Sequence, residues 1–161
     1  MFLYHGSTES VRQPEIRQSN ACLDFGVGFY TTTSYEQAER WARIKMKRNN
    51  TDSAYVSVYD FNLDEAEKVL NIKHFEGANK EWLLFVVDCR RNAKAENTAD
   101  MHIGPVADDN VYQSIRLFET GAYDAEYTVK RLKTEVLHEQ WALHTDKGLG
   151  FLKFIEAKEI K

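Results

Sequence analysis

Proline and cysteine are both scarce in this 161-residue chain, with two of each. Pro14 and Pro105 leave no room for a proline-rich linker, and no repeat or low-complexity tract is visible. Cys22 and Cys89 lack metal-ligand spacing and read as two reduced thiols, which argues for a cytoplasmic protein. An apolar run of about 20 residues is absent, so no membrane span is expected. The start, Met1-Phe2-Leu3-Tyr4-His5, lacks the basic-then-apolar order of a secretory signal. An excess of positive charge is missing too. Set against 25 acidic residues, 21 basic ones give a net charge of −4, and no bulk attraction to nucleic acid follows.

Common catalytic signatures are also missing. There is no glycine-rich phosphate loop followed by Lys, no G-x-S-x-G elbow and no pair of histidines at zinc spacing. Gly26-Val27-Gly28 is a fragment of a dinucleotide fingerprint without its third glycine or a preceding strand. Phosphate-loop hydrolysis, serine-hydrolase, zinc and Rossmann chemistry are set aside, and no metal site is expected.

What the chain does have is aromatic bulk, 12% of its residues, enough for one well-filled core across residues 1–161. Alternation predicts strands at 2–5, 28–32, 55–61, 69–75, 140–144 and 151–155, and a short strand at 101–107 interrupted by Gly104-Pro105. Between the first two lies a long polar loop, 7–27, of the kind that is usually functional. Ser34 and Gln37 have capping-box spacing at the head of a helix that ends on Lys45-Met46-Lys47-Arg48. Trp41 and Trp82 are expected in the core, and Lys45, Lys47 and Arg48 on a solvated face. Helical spacing predicts further helices over 79–91, from Asp108 or Asp109 to Gly121, and around Ala125, Val129 and Leu132. An Asp at a helix start caps free N–H groups, the expected role for one of that pair. Strands at both ends with helices between argue α+β with a mixed or antiparallel sheet.

Two clusters can carry chemistry. Leu3-Tyr4-His5-Gly6-Ser7 ends a strand in a His, a Gly and a hydroxyl, and Leu23-Asp24-Phe25-Gly26-Val27-Gly28-Phe29-Tyr30 frees the backbone just before an aromatic pair. An aromatic leaving a glycine-rich bend can present its face to a flat ring. His74, His102, His138 and His144 form no pair with convincing ligand spacing.

These clusters resemble the H-Y-x branch of the ADP-ribosyltransferase superfamily, the branch of diphtheria-toxin-like enzymes and poly(ADP-ribose) polymerases. The LYHGS opening, LDFGxGFYTTT, the helix with Gln37, Ala38, Trp41 and Ala42, GPVADDNVY and the strand with Gln140, His144 and Thr145 are similar to a small bacterial family of that fold. The resemblance covers nearly the whole chain. It implies a split mixed or antiparallel sheet with flanking helices, and NAD as substrate.

The resemblance further implies that His5 bonds a ribose hydroxyl on the adenosine side of NAD. It implies that the Gly6 backbone, joined by Ser7, holds the nicotinamide carboxamide, and that Tyr30 stacks on the nicotinamide ring beside Gly28. The third motif position, normally Glu, falls on Gln140. Gln can bond the ribose but carries no charge and cannot act as a base, which favours mono-transfer over chain elongation. Charge can come from Glu139, Asp108, Asp109 or the substrate. The expected activity is transfer of ADP-ribose to a protein or nucleic-acid acceptor, in a toxin or anti-phage effector checked by a small antitoxin-type partner. NAD hydrolysis and an inactive, NAD-pocket-derived binding module are the alternatives.

Overall fold

The computed structural model describes residues 1–18, 23–92 and 98–161, with the backbone alone at 109 and 110. Cys22 lies outside the described residues, while Cys89 is a free, buried thiol whose pKa burial pushes up to about 11. The chain opens with β1 (Phe2–Ser7), β2 (Phe29–Thr31), α1 (Tyr35–Asn49) and β3 (Ala54–Asp60). Then come α2 (Leu63–Val69), β4 (Ile72–His74), α3 (Lys80–Arg91) and β5 (Met101–Pro105). It closes with α4 (Asp109–Glu119), α5 (Ala125–Leu132), β6 (Glu139–Leu143), α6 (Asp146–Leu149) and β7 (Lys153–Ile160).

The architecture is α+β, with two sheets and flanking helices. One sheet is antiparallel in the order β1-β3-β7; the other is mixed, in the order β2-β6-β5-β4, with β4 parallel to β5. The sheets touch at one pair on the β1–β2 side. Tyr4 donates its N–H to the Thr32 carbonyl at 2.8 Å and accepts the Thr32 N–H at 3.0 Å. Behind this seam Leu3, Tyr59, Phe61, Met101, Trp141 and Leu143 form a common core that spans both sheets. Thr31 and Thr32 fasten β2 to β6 a second time, their hydroxyls donating to the carbonyls of Trp141 and Glu139 at 2.9 and 2.8 Å.

Local signals explain most of the elements. Ser34 caps α1 with its side-chain oxygen, as its position ahead of an apolar-periodic run predicts, and Asn79 and Asp124 cap α3 and α5 in the same way. Asn50 ends α1 in the left-handed region at φ 51, and Gly121 follows α4 at φ 83. Three expectations need correction. Residues 69 and 70 belong to the end of α2 and its cap, not to a strand, so β4 starts at Ile72. Asn62 caps that helix through the Glu65 N–H, a signal hidden by the polar run Asp64 to Lys68. β5 runs through Gly104 to Pro105 instead of breaking there, and α6, capped by Thr145, precedes a strand that extends to Ile160.

Candidate functional site

A pocket of about 590 Å³ opens where β1 and β2 part, with α1 forming one wall. His5, Ser7, Gly28, Tyr30 and Gln140 all line it, so residues drawn from both ends of the chain meet there. Gly6 faces the other way. A side chain on Gly6 would meet the Ala38 carbonyl at 2.0 Å, so only glycine lets α1 lie against β1. Its own carbonyl accepts the Lys45 ammonium at 2.8 Å. Lys45 is therefore not on a solvated face: burial, helped by the Arg48 charge, lowers its pKa. Lys47 and Arg48 are exposed, as their end-of-helix positions predict, whereas Trp41, expected in the core, is half-buried and lines the pocket.

His5 is buried and stacked on Phe29, ring centroids 4.1 Å apart. Burial and then the Lys45 charge lower its pKa to about 3, so the imidazole is neutral near pH 7. The Tyr30 carbonyl, 2.6 Å from Nδ1, can only accept. Nδ1 therefore carries the proton, and Nε2 is an acceptor.

Tyr30 puts its ring in the pocket wall, yet its hydroxyl is committed. It accepts the Phe25 N–H at 2.9 Å and donates to the Gly26 carbonyl at 2.6 Å, clasping the glycine-rich bend. Burial raises its pKa well above the usual phenol range. Gly26 needs its freedom for φ 81. Gly28 needs it for close approach, since a Cβ there would meet the Leu143 carbonyl at 2.8 Å and His144 Nδ1 at 2.9 Å.

Gln140 is buried and its amide is pinned. Nε2 donates to Asp24 Oδ2 at 3.0 Å and to the Pro105 carbonyl at 3.2 Å. Those two bonds fix the flip of the amide and leave Oε1 as the free acceptor. Asp24 Oδ2 also accepts the Ala107 N–H at 2.9 Å, while Oδ1 holds Arg90 Nε and Nη2 at 3.1 and 3.0 Å. This partly buried carboxylate of the LDFGxG segment stands directly behind Gln140. Glu139 does not. Neighbouring strand residues face opposite ways, and Glu139 accepts from Trp141 Nε1 at 2.7 Å outside the pocket. Asp108 lines the pocket, and its carbonyl accepts the N–H groups of Val111 and Tyr112 at the head of α4. The side chain of Asp109 lies outside the described residues.

Of the four unassigned histidines, two form a pair that spacing did not reveal. His144 Nδ1 lies 2.7 Å from the Val27 carbonyl, which makes it the donor there. Its Nε2 then accepts from His102 Nδ1 at 2.8 Å. His102 is stacked on Phe85, and burial followed by the His144 charge lowers its pKa to about 3. Two neutral imidazoles thus tie β5 and β6 to the glycine-rich bend. Among the described residues no group of three His, Cys, Asp or Glu is arranged to hold a metal ion, and no helix is long and apolar enough to cross a membrane.

The family model described as "Protein of unknown function (DUF3990)" matches residues 1–154, so the chain belongs to that family. No curated protein and no solved structure matches it.

Proposed function

We propose that this member of the DUF3990 family is an NAD-dependent mono-ADP-ribosyltransferase with an ADP-ribosyltransferase-like split sheet, transferring ADP-ribose to a protein or nucleic-acid acceptor. One observation carries the reading: His5 and Tyr30, 25 positions apart, share one pocket with Gln140. The donor set suits a dinucleotide. Arg40, Lys45 and Arg48 on the α1 wall match a diphosphate, and Asp108 in the same lining matches a positively charged pyridinium ring.

In the reaction, the bond between nicotinamide nitrogen and ribose C1′ breaks, nicotinamide leaves with the bonding pair, and the acceptor's nucleophile joins C1′ and releases its proton. His5 accepts a ribose hydroxyl at Nε2. Tyr30 holds the leaving ring by stacking, its own position set by the two bonds of its hydroxyl. Gln140 turns Oε1 toward the positive charge that develops on the ribose, and Asp24 keeps that orientation from behind.

A second reading, an inactive NAD-binding module, is favoured by one feature: the Asp24 charge that backs Gln140 is already paired with Arg90 at 3.0 Å. Pure protein incubated with NAD separates the cases. Nicotinamide release with a single ADP-ribose on a macromolecule by mass spectrometry supports the transferase, and release without an adduct means NAD hydrolysis with water as acceptor. Binding without release supports the module, and the absence of both removes the NAD reading. An effector role with a small antitoxin-type partner predicts growth arrest on expression, relieved by a co-expressed neighbouring gene.

A further inference from the structure

The amide oxygen of Gln37, a residue of the pocket wall, is the one buried side-chain polar atom without a hydrogen-bond partner among the described residues. Capping-box spacing predicts that it reaches back to the Ser34 N–H. It does not, because Thr32 Oγ1 already takes that N–H at 3.1 Å. Ser34 still caps the helix by accepting the Gln37 N–H at 3.2 Å, so only half of the box forms. The Gln37 side chain turns instead into the pocket wall, where the residue is 3% exposed. Its Oε1 is buried without a hydrogen-bond partner among the described residues. A buried carbonyl left unpaired is costly, and an apolar side chain of similar length would remove that cost. Such a group is completed by a bound ligand, an ion or a buried water.

Gln37 precedes Ala38, whose carbonyl lies against Gly6, and Gly6 already gives its carbonyl to Lys45. The backbone next to His5 is thus shielded by α1, and α1 itself brings a side-chain amide to the pocket wall. An amide carries one acceptor and two donors and pairs best with a group carrying both. Within the NAD reading above, on which this inference rests, that group is a primary carboxamide. We propose that Gln37 is a binding residue that recognises the nicotinamide carboxamide, its Oε1 accepting the carboxamide N–H.

The test compares NAD with its 3-acetylpyridine analogue, which replaces the carboxamide NH2 by a methyl group, on wild type and Gln37→Met. Binding is read by calorimetry in the cold, and melting temperature is read without ligand. Wild type is expected to prefer NAD about tenfold, the size of one hydrogen bond to a buried partner. Gln37→Met is expected to bind both dinucleotides equally, with a melting temperature unchanged or raised. A variant that keeps the preference, or that loses affinity for both ligands alike, overturns the assignment. A fall in melting temperature with affinities intact also overturns it, since the amide would then be completed by the protein or by buried water. Wild-type protein that ignores NAD removes the function proposed above, and this inference with it.

Discussion

Gln140 donates its amide N–H to Asp24 at 3.0 Å across 116 positions of sequence, and that bond decides what can replace Gln140. Glu at this position would set a second carboxylate against Asp24 and the Pro105 carbonyl. Gln140→Glu is therefore expected to lower stability by about 1–3 kcal/mol without raising nicotinamide release. The loss should be greater at pH 8 than at pH 5, where one carboxyl can hold a proton. Melting curves at both pH values check this, and a more active, equally stable variant would contradict it.

Asp24→Ala should be strongly destabilising. It takes from the Arg90 guanidinium, with 17% of its side chain exposed, its carboxylate partner, leaving it the Ala107 carbonyl at 3.3 Å, and takes from the Ala107 N–H and the Gln140 amide an acceptor. Breaking a buried pair typically costs about 3–5 kcal/mol. Denaturant unfolding measures it; a loss below about 1 kcal/mol would mean that the Asp24 hub is not formed in solution.

Tyr30→Phe keeps the aromatic face but strips two hydrogen bonds from the bend at 25–26. The expected result is faster hydrogen exchange at the Phe25 amide and a stability loss of about 1–3 kcal/mol. NAD affinity should fall several-fold, and Tyr30→Ala should cut it further through loss of stacking. Unchanged protection at Phe25 would show that the hydroxyl does not hold the bend.

Stability should decline as pH falls from about 6.5. The native pKa values of His5 and His102 are lowered to about 3 by burial, so between those limits the unfolded chain binds protons that the folded one refuses. Each can then contribute up to about 1.4 kcal/mol of loss per pH unit. Asp100, held low by the Asn71 N–H, acts in the same direction only at lower pH, below the usual carboxylate range. A flat stability profile from pH 6.5 to 4.5 would mean that these imidazoles are not buried and neutral.

The sequence made legible whatever depends on near neighbours. The cap at Ser34, the helical faces of α1 and α3, and the strand around Tyr55–Asp60 all follow from residues within a few positions of one another. His5, Tyr30 and Gln140 were legible only through an ordered set of motifs. Asp24 was not, because Arg90, Ala107 and Gln140, which define its role, lie 66, 83 and 116 positions away. Gln37 misled for a related reason: its box spacing was correct, but the Thr32 hydroxyl took its target. α2 escaped notice because a seven-residue helix with a polar middle has too few turns to establish a period.

The carbonyl of Tyr30 turns His5 into a one-way reader. With Nδ1–H engaged at 2.6 Å, the imidazole shows its other partner a lone pair and nothing else. A ligand that offers a hydroxyl there is welcomed, and one that offers only oxygen lone pairs is turned away. NADP carries a phosphate on the adenosine ribose that His5 is proposed to grip, so the protein should separate the two dinucleotides without any residue dedicated to that choice. Competition of NADP with NAD for the pocket would reveal it. If NADP bound as tightly, the direction of that single hydrogen bond would carry no information about the ligand.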